Sequence, residues 1–358
     1  MKTFPVTRTE ESRINTVDWD NLGFGIYFSD HMFVSDFVDG RWDEGKIMPY
    51  GPMEIYPGNC TLHYGQTIFE GLKAFPNKHG GVNLFRPYMN ARRMNRSARR
   101  VCIPTFDEDT FVNAIKQIVR VDKDWIPKKP GTSLYIRPVS FGISNFLGVH
   151  PSDDYRFIIM TSPVGSYYPE GLNPVKILIS TKYVRAVPGG TGTAKTAGNY
   201  AASLLAGQEA KELGFSQVLW LDGVKRTLID EVGAMNIMFV IDDELVTPSL
   251  ESGTILEGVT RDSVLKIAYD EGMKVSERAI TIDEIVEANQ KGVLQECFGT
   301  GTAAVISPVG LLRYHNEDIV INDMKIGPVA QMFYDRITGI QYGDVDDEFD
   351  WVVDVELD

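Results

Sequence analysis

The chain has 358 residues, of which 43% are hydrophobic and 23% charged, and its formal net charge is −14. This length allows two domains with large cores, and the composition is that of a globular protein. The negative charge argues against nucleic acid or an anionic membrane as the main partner.

Cysteine, histidine and apolar spacing narrow the class further. The three cysteines are widely separated, and the five histidines form no metal-binding spacing, so we expect no disulfide framework and no metal site. The N-terminal residues lack the apolar segment of a signal peptide, and no apolar run reaches transmembrane length. We therefore expect a cytoplasmic protein.

The first half of the chain mixes strand and helix patterns. Apolar runs predict strands at 25–28, 133–139 and 157–160. Apolar residues at helical spacing predict a helix over 106–124, and an early proline supports a basic helix over 87–101. The segment 162–174 is rich in proline, glycine and tyrosine, which is typical of a linker.

The second half alternates strands and helices without the regularity of a doubly wound sheet. Apolar runs predict strands at 175–180, 217–221, 227–231 and 236–241. Helices are predicted at 199–213, ending before Gly214, and at 260–270, with Thr260 as the N-cap. We predict two α/β domains with mixed sheets: a smaller one at 1–163, a linker at 164–174 and a larger one at 175–358.

Lys195 lies in a segment of small residues, 189–200, which reads GGTGTAKTAGNY. Small neighbours allow a flat cofactor to lie against the backbone, and a desolvated pocket lowers the pKa of a lysine amine. Both are requirements of a lysine that forms a Schiff base. The segment therefore predicts an enzyme that binds pyridoxal 5′-phosphate through Lys195.

Two other interpretations fit the same letters. Gly189 followed by Ala194-Lys195-Thr196 is one substitution from the phosphate loop of nucleotide-binding proteins, although the glycine before the lysine is replaced by alanine. The preceding apolar run also ends well before Gly189, whereas a phosphate loop leaves its strand directly. The second alternative is a glycine-rich surface turn that carries an ordinary lysine.

Further residues match the other needs of the cofactor. Glu231 ends an apolar strand, where burying a carboxylate is costly unless a cation such as a protonated pyridine nitrogen faces it. The helix that begins near 257–261 offers free N–H groups for a phosphate, as does the glycine-rich turn at 298–303. The basic stretch 92–100 can supply a guanidinium, and Tyr200 can donate to the ring oxygen.

Six segments occur in one order along the chain: HYGQTIFEGLKAF at 63–75, LFRPYMNARRM at 84–94, LYIRP at 134–138, the lysine segment, EVGAMN at 231–236 and LEGVTRDS at 256–263. Together they closely resemble the branched-chain amino-acid aminotransferases of pyridoxal-phosphate fold type IV, over about residues 24 to 309. The resemblance implies an active site at the interface of two mixed-sheet domains. A D-amino-acid transaminase or an aminodeoxychorismate lyase would keep Lys195 and Glu231 but differ at 63–75 and 134–138.

The resemblance also implies the reaction and the cofactor site. L-leucine, L-isoleucine or L-valine would give its amino group to 2-oxoglutarate, in branched-chain amino-acid biosynthesis or degradation. Lys195 would be the catalytic residue, Glu231 would pair with the pyridine nitrogen, and Tyr200 would bond the ring oxygen. The phosphate would be held by four residues: Arg93, Val259, Thr260 and Thr302.

The substrate site is implied in the same way. Tyr64 and the backbone of Thr302 and Ala303 match positions that meet the substrate carboxylate, and Arg137 matches a position linked to the glutamate co-substrate. The aromatic pocket would be formed by Phe24, Phe69, Tyr135 and Tyr167. Leu147 and Val149 match loop residues that reach the partner subunit's site, so we expect a homodimer.

Overall fold

The computed structural model describes residues 2–165 and 172–357, which form two compact units. The first unit comprises Met1–Tyr167, Ala194–Ala197 and Gly339–Asp358, and the second comprises Tyr168–Thr193 and Gly198–Thr338. The sequence interpretation differs in two places, because it assigned 194–197 and 339–358 to the C-terminal domain.

The described residues contain eighteen strands and eight α-helices. The strands are β1 (His31–Val38), β2 (Arg41–Trp42), β3 (Lys46–Pro49), β4 (Thr67–Phe69), β5 (Leu72–Pro76), β6 (Val82–Phe85), β7 (Ser133–Gly142), β8 (Tyr155–Val164), β9 (Val175–Ile179), β10 (Gln217–Leu221), β11 (Ile229–Val232), β12 (Asn236–Ile241), β13 (Glu244–Pro248), β14 (Lys274–Arg278), β15 (Leu294–Gly301), β16 (Val305–Tyr314), β17 (Glu317–Val320) and β18 (Val352–Val355). The helices are α1 (Cys60–Tyr64), α2 (Pro87–Arg100), α3 (Glu108–Val121), α4 (Ala197–Ala201), α5 (Leu204–Glu212), α6 (Val259–Asp270), α7 (Ile282–Gln290) and α8 (Pro328–Tyr342).

The first unit is built on a nine-stranded antiparallel sheet, as far as the described residues show. The strand order is β18-β6-β5-β7-β8-β1-β2, with β3 paired to β1 and β4 paired to β7. Its core includes Phe33, Phe111 and Phe157, whose side chains are almost fully buried. The rings of Phe111 on α3 and Phe157 on β8 lie 5.9 Å apart, so aromatic packing holds α3 and the sheet together.

Helix α2 carries both core and site residues. Pro87 occupies its first turn, where a missing N–H costs no helical hydrogen bond. Ala91, Met94 and Ala98 belong to the apolar core. Asn90, Arg93 and Ser97 are also buried, although they are polar. Because residues three and four apart share one helix face, these three polar side chains form a buried polar face. This face positions the site described below.

The second unit contains a mixed sheet in the order β11-β10-β9-β16-β15-β12-β13-β14, with β17 paired to β16. Strand β9 runs parallel to both β10 and β16, and β13 runs parallel to β14. Helix α5 packs against β10 through Ala206, Ala210 and Trp220. The prediction of an α/β fold is confirmed; the mixed sheet is that of the second unit, and the sheet of the first unit is antiparallel.

Three of the predicted elements are wrong in detail. Residues 25–28 form no strand, because Gly23 and Gly25 have φ of +62° and +71° and turn the chain there. The helix predicted over 199–213 is divided into α4 and α5, and at the break the Ser203 hydroxyl donates to the carbonyl of Tyr200 at 2.7 Å. Helix α6 begins at Val259, so Gly258 is its N-cap.

Residues 2–165 and 172–357 contain neither a membrane-spanning helix nor a cluster of metal ligands. None of their helices combines the length and the apolar character needed to cross a membrane. In the same residues, no group of histidine, cysteine, aspartate and glutamate side chains has a geometry that could hold a metal ion.

Candidate functional site

The lysine segment is attached to strand β4 and helix α2 of the first unit. The Lys195 N–H donates to Ser97 Oγ at 2.8 Å, and its carbonyl accepts from the Phe69 N–H at 3.0 Å. The Thr196 hydroxyl donates to the carbonyl of Thr67 at 2.7 Å. Because both backbone groups of Lys195 are bonded, its side chain leaves from a fixed position.

The amino group of Lys195 lies 4.6 Å from the centroid of the Phe69 ring. The residue as a whole is half-buried, but the amine is surrounded by protein atoms, and this desolvation lowers its pKa to about 8. The positive charge of Arg93 lowers the pKa further, and the negative charge of Glu70 partly offsets that effect. A lysine in this state can exchange a proton near neutral pH.

Four of the predicted pocket residues come together in the first unit. The rings of Phe24 and Tyr135 lie 4.9 Å apart. The Arg137 guanidinium lies 4.6 Å from the Phe69 ring centroid and 5.2 Å from that of Tyr135, and its Nη2 donates to Tyr135 Oη at 2.8 Å. The Arg137 Nε is buried without a hydrogen-bond partner in the described residues. The pocket therefore combines aromatic surface with an unused donor.

Gly71 lies beside this pocket, where any side chain would collide with the hydroxyl of Tyr135. A Cβ atom at Gly71 would lie 2.1 Å from Tyr135 Oη, a distance that no side chain can tolerate. The absence of a side chain at position 71 thus allows the Tyr135 hydroxyl to reach Arg137.

Glu231 is the central acid of the second unit. It lies on β11 with 3% of its surface exposed, so it is not a solvated residue at the end of a strand. Its Oε1 accepts from the Leu256 N–H at 2.7 Å and from Asn236 Nδ2 at 3.4 Å. Its Oε2 forms an ion pair with Arg185 Nε at 3.2 Å. The carboxylate is therefore held in one orientation from several directions.

The start of α6 is connected to the same acid. Asn236 Nδ2 also donates to the carbonyl of Leu256, at 2.9 Å. A Cβ atom at Gly258 would lie 2.0 Å from Asn236 Oδ1, so glycine is required at this N-cap. Val259 and Thr260 then begin a twelve-residue helix whose N-cap makes no side-chain hydrogen bond. Such an N-terminus is suited to bind a phosphate.

The remaining predicted residues of the second unit lie in turns and short helices. Thr302 and Ala303 are half-buried in the turn between β15 and β16, and Tyr200 lies in α4. The hydroxyls of Thr300 and Ser307 on the same two strands are buried without a hydrogen-bond partner in the described residues. This part of the second sheet therefore has unused hydrogen-bonding capacity.

The remaining predicted site residues of the first unit differ in burial and in their contacts. Arg93 is 5% exposed and is paired with Glu70. The Tyr64 hydroxyl donates to the carbonyl of Leu147. Leu147 and Val149 are 70% and 86% exposed. Tyr167 lies outside the described residues.

The sequence reasoning missed Glu70, Ser97, Arg185 and Asn236. Glu70 had a usable signal, because it interrupts the apolar run from Ile68 to Leu72 in the same way as Glu231 ends its own strand. Arg185 and Ser97 had none, since an arginine or serine in a polar segment is normally exposed.

Comparison with known proteins identifies the family. The family model described as amino-transferase class IV matches residues 67–312. The chain belongs to this family.

The relatives make the assignment more specific. The branched-chain-amino-acid aminotransferase 2 of Bacillus subtilis (strain 168) is 54% identical over 339 residues, which cover 94% of this chain and 93% of that protein. The Escherichia coli branched-chain amino acid aminotransferase structure has a TM-score of 0.75 at 26% identity, covering 91% of this chain and 99% of that one. The T.th. enzyme complexed with N-(5′-phosphopyridoxyl)-L-glutamate has a TM-score of 0.71 at 27% identity, covering 90% and 98%. The resemblance found in the sequence is confirmed.

Asp230, beside Glu231, is a second buried acid. Desolvation raises its pKa to about 6, and the adjacent charge of Glu231 acts in the same direction. A hydrogen bond from the Thr254 hydroxyl at 3.1 Å and the charge of Arg185 oppose the shift. The folded protein therefore binds a proton at Asp230 more tightly than the unfolded chain does.

From this difference we predict that Asp230 reduces stability as pH rises. Its pKa is raised by folding, so its stabilising effect is complete below the unfolded value of 3.8 and is lost as pH rises through about 6. Asp230→Asn cannot titrate. The difference in Tm between this variant and the wild type should therefore change between pH 4 and pH 7 in favour of the variant. Parallel Tm curves over this range would contradict the prediction.

Proposed function

We propose that the protein is a pyridoxal-phosphate-dependent transaminase that moves the amino group of L-leucine, L-isoleucine or L-valine to 2-oxoglutarate. The observation that carries this proposal is the desolvated amine of Lys195, whose pKa is lowered to about 8 and which lies against an aromatic pocket containing Arg137. Support comes from the names of the relatives and from the phosphopyridoxyl-glutamate in the T.th. complex.

Both units supply side chains that are suited to bind pyridoxal phosphate. When bound, pyridoxal phosphate supplies an electron-accepting ring that stabilises negative charge at the substrate α-carbon. Glu231 would pair with the pyridine nitrogen, because its buried carboxylate is fixed by Arg185 and by backbone and amide donors. The N–H groups of Val259 and Thr260 would hold the phosphate, together with Arg93 and Thr302. Tyr200 would donate to the ring oxygen.

Lys195 would both carry the cofactor and move the proton. When Lys195 is not bonded to the cofactor, its neutral Nζ would accept the α-proton of the amino acid. The protonated amine would then give that proton up again. Proton transfer of this kind is most efficient when the pKa of the base is near the working pH. The pKa of about 8 meets this condition, whereas the usual value of 10.5 would not.

The pocket would take two different side chains in turn. The rings of Phe24, Phe69 and Tyr135 offer apolar surface for a branched side chain. Arg137 lies over two of these rings, and its buried Nε lacks a partner in the described residues, so it would bind the side-chain carboxylate of 2-oxoglutarate. Tyr64 and the backbone at Thr302 would meet the α-carboxylate.

The alternatives have less support. A D-amino-acid transaminase or an aminodeoxychorismate lyase does not match the names of the relatives at 50–54% identity. A phosphate loop requires a strand that leads directly into it. Strand β9 ends at Ile179, well before Gly189, and residues 194–197 belong to the first unit whereas Gly189 belongs to the second.

A homodimer is the proposed assembly. The segments 56–64 and 145–149 of the first unit are joined by hydrogen bonds, and both carry exposed apolar side chains, which together are typical of a protein–protein interface. Leu147 and Val149 are 70% and 86% exposed, and Tyr56 and Leu62 are 72% and 60% exposed. We propose that these residues meet a second copy of the chain.

The three cysteines are unpaired, which supports a cytoplasmic location.

The first test is a visible spectrum of the protein with pyridoxal phosphate. The wild type should show a band that L-leucine bleaches and 2-oxoglutarate restores. Lys195→Ala should abolish both changes and lower the transamination rate by about 10²- to 10⁴-fold or more. Lys73→Met is the control, because Lys73 is a second buried lysine of the first unit with a pKa lowered to about 8. A wild-type protein without the band would refute the proposal.

Arg137→Leu should separate the two half-reactions. Loss of the guanidinium removes a charge-assisted hydrogen bond to 2-oxoglutarate, which is worth about 1.5–3 kcal/mol. The KM for 2-oxoglutarate should therefore rise about 10- to 100-fold, while the KM for a branched 2-oxo acid should change little. Steady-state kinetics with both acceptors measure this, and equal changes for the two would contradict the role.

Val149→Asp should dissociate the dimer, because a buried carboxylate at the interface would lack a partner. Sedimentation velocity should then show monomers at concentrations at which the wild type is dimeric. Val320→Asp is the matched control, since Val320 is also exposed but lies on β17 of the second unit. A dimer that survives Val149→Asp would place the interface elsewhere.

A further inference from the structure

Glu70 is a fully buried carboxylate between strands β4 and β5 of the first unit. Its Oε1 accepts from Arg93 Nε and its Oε2 from Arg93 Nη2, both at 2.8 Å, so the pair is bidentate. Asn90 Nδ2 and the Gly71 N–H also donate to Oε2, at 2.9 and 3.2 Å. The carboxylate and the guanidinium are therefore fixed together.

The backbone brings this pair to the lysine. Glu70 follows Phe69, whose N–H binds the carbonyl of Lys195, while Arg93 lies one helical turn before Ser97, which binds the Lys195 N–H. Both members of the pair are thus adjacent to residues that hold the lysine. The charged and titratable groups that act on its amine are Arg93, Glu70, Tyr135 and Arg137.

Among the charged groups that act on Lys195, Glu70 favours the protonated amine. Arg93 and Arg137 both disfavour a proton on Lys195, and Glu70 is the carboxylate that favours it. The same pairing keeps the pKa of Glu70 below its usual value, because Arg93 and Lys195 outweigh the cost of burial. Glu70 is therefore an anion whenever the lysine titrates.

We propose that Glu70 is a positioning residue of this site: its carboxylate fixes the guanidinium of Arg93 and supplies the negative charge that faces the amine of Lys195. The proposal rests on the proposed function, since it assigns Glu70 a task relative to two cofactor-binding residues. An ion pair that only stabilised the fold would leave the proton equilibrium of Lys195 unchanged.

The test is the pH profile of trace acetylation by acetic anhydride, measured by mass spectrometry for each lysine of the full-length protein without pyridoxal phosphate, so that the cofactor does not occupy the Lys195 amine. Only the neutral amine reacts, so the midpoint reports the pKa. In Glu70→Gln the Lys195 midpoint should fall by about one pH unit or more, because an opposing charge has been removed. Arg93→Met should raise the midpoint. Local unfolding cannot produce the fall, since an exposed lysine titrates near ~10.4.

Two references isolate the effect. Lys73 is a second buried lysine of the same unit, and desolvation lowers its pKa to about 8, so its midpoint should not move in either variant. Asp36→Asn is the matched control, because Asp36 also forms a bidentate pair, with Arg156 at 2.7 and 2.8 Å. An unmoved Lys195 midpoint in Glu70→Gln overturns the proposal, as does a Lys195 midpoint that moves together with that of Lys73.

If Glu70→Gln does not fold, Arg93→Met decides alone: a raised Lys195 midpoint with an unchanged Lys73 midpoint supports the proposal, and any other result overturns it. A wild-type spectrum with pyridoxal phosphate is recorded in parallel. Absence of the band refutes the proposed function. A normal band with an unmoved Lys195 midpoint refutes only the task of Glu70.

Discussion

The amine of Lys195 gives up most of its hydration to lie against the ring of Phe69, and the charges around it determine whether it keeps its proton. A desolvated amine surrounded only by arginines would be neutral at all relevant pH values and could not return a proton. One surrounded only by carboxylates would remain charged and could not accept one. The buried pair of Glu70 and Arg93 holds the amine between these limits.

The second unit meets the same constraint with the charges reversed. Here the buried group is the carboxylate of Glu231, and the fixed cation is Arg185. Backbone and amide donors from Leu256 and Asn236 complete its coordination. Since Leu256 lies shortly before the N-terminus of α6, the acid and the start of this helix are parts of one hydrogen-bonded arrangement. A displacement of one would disturb the other.

The sequence predicted the chemistry better than the local structure. Lys195 and Glu231 were recognisable because each places a charge among residues that cannot solvate it, and this conflict is visible in the letters. The predictions of a strand at 25–28 and of a continuous helix at 199–213 were wrong. Glycines with positive φ turn the chain near residues 25–28, and a serine hydroxyl bonds the backbone at the break between α4 and α5.

The supporting residues were beyond the reach of local patterns. Arg93 and Glu70 are separated by 23 residues, and Lys195 and Ser97 by 98, so only the fold brings them together. Arg185 and Asn236 likewise acquire meaning only through Glu231. The sequence therefore identifies charged residues that lie among apolar or small neighbours. Only tertiary contacts identify the residues that pair with these buried charges.

The close approach of Gly71 to the hydroxyl of Tyr135 has an evolutionary consequence. Any side chain at position 71 would displace that hydroxyl, and with it the hydrogen bond to Arg137. Loss of the hydroxyl, as in phenylalanine at 135, would relieve the collision. The two positions should therefore covary among relatives: lineages that retain the tyrosine keep the glycine, and a larger residue at 71 becomes accessible only after the tyrosine has changed.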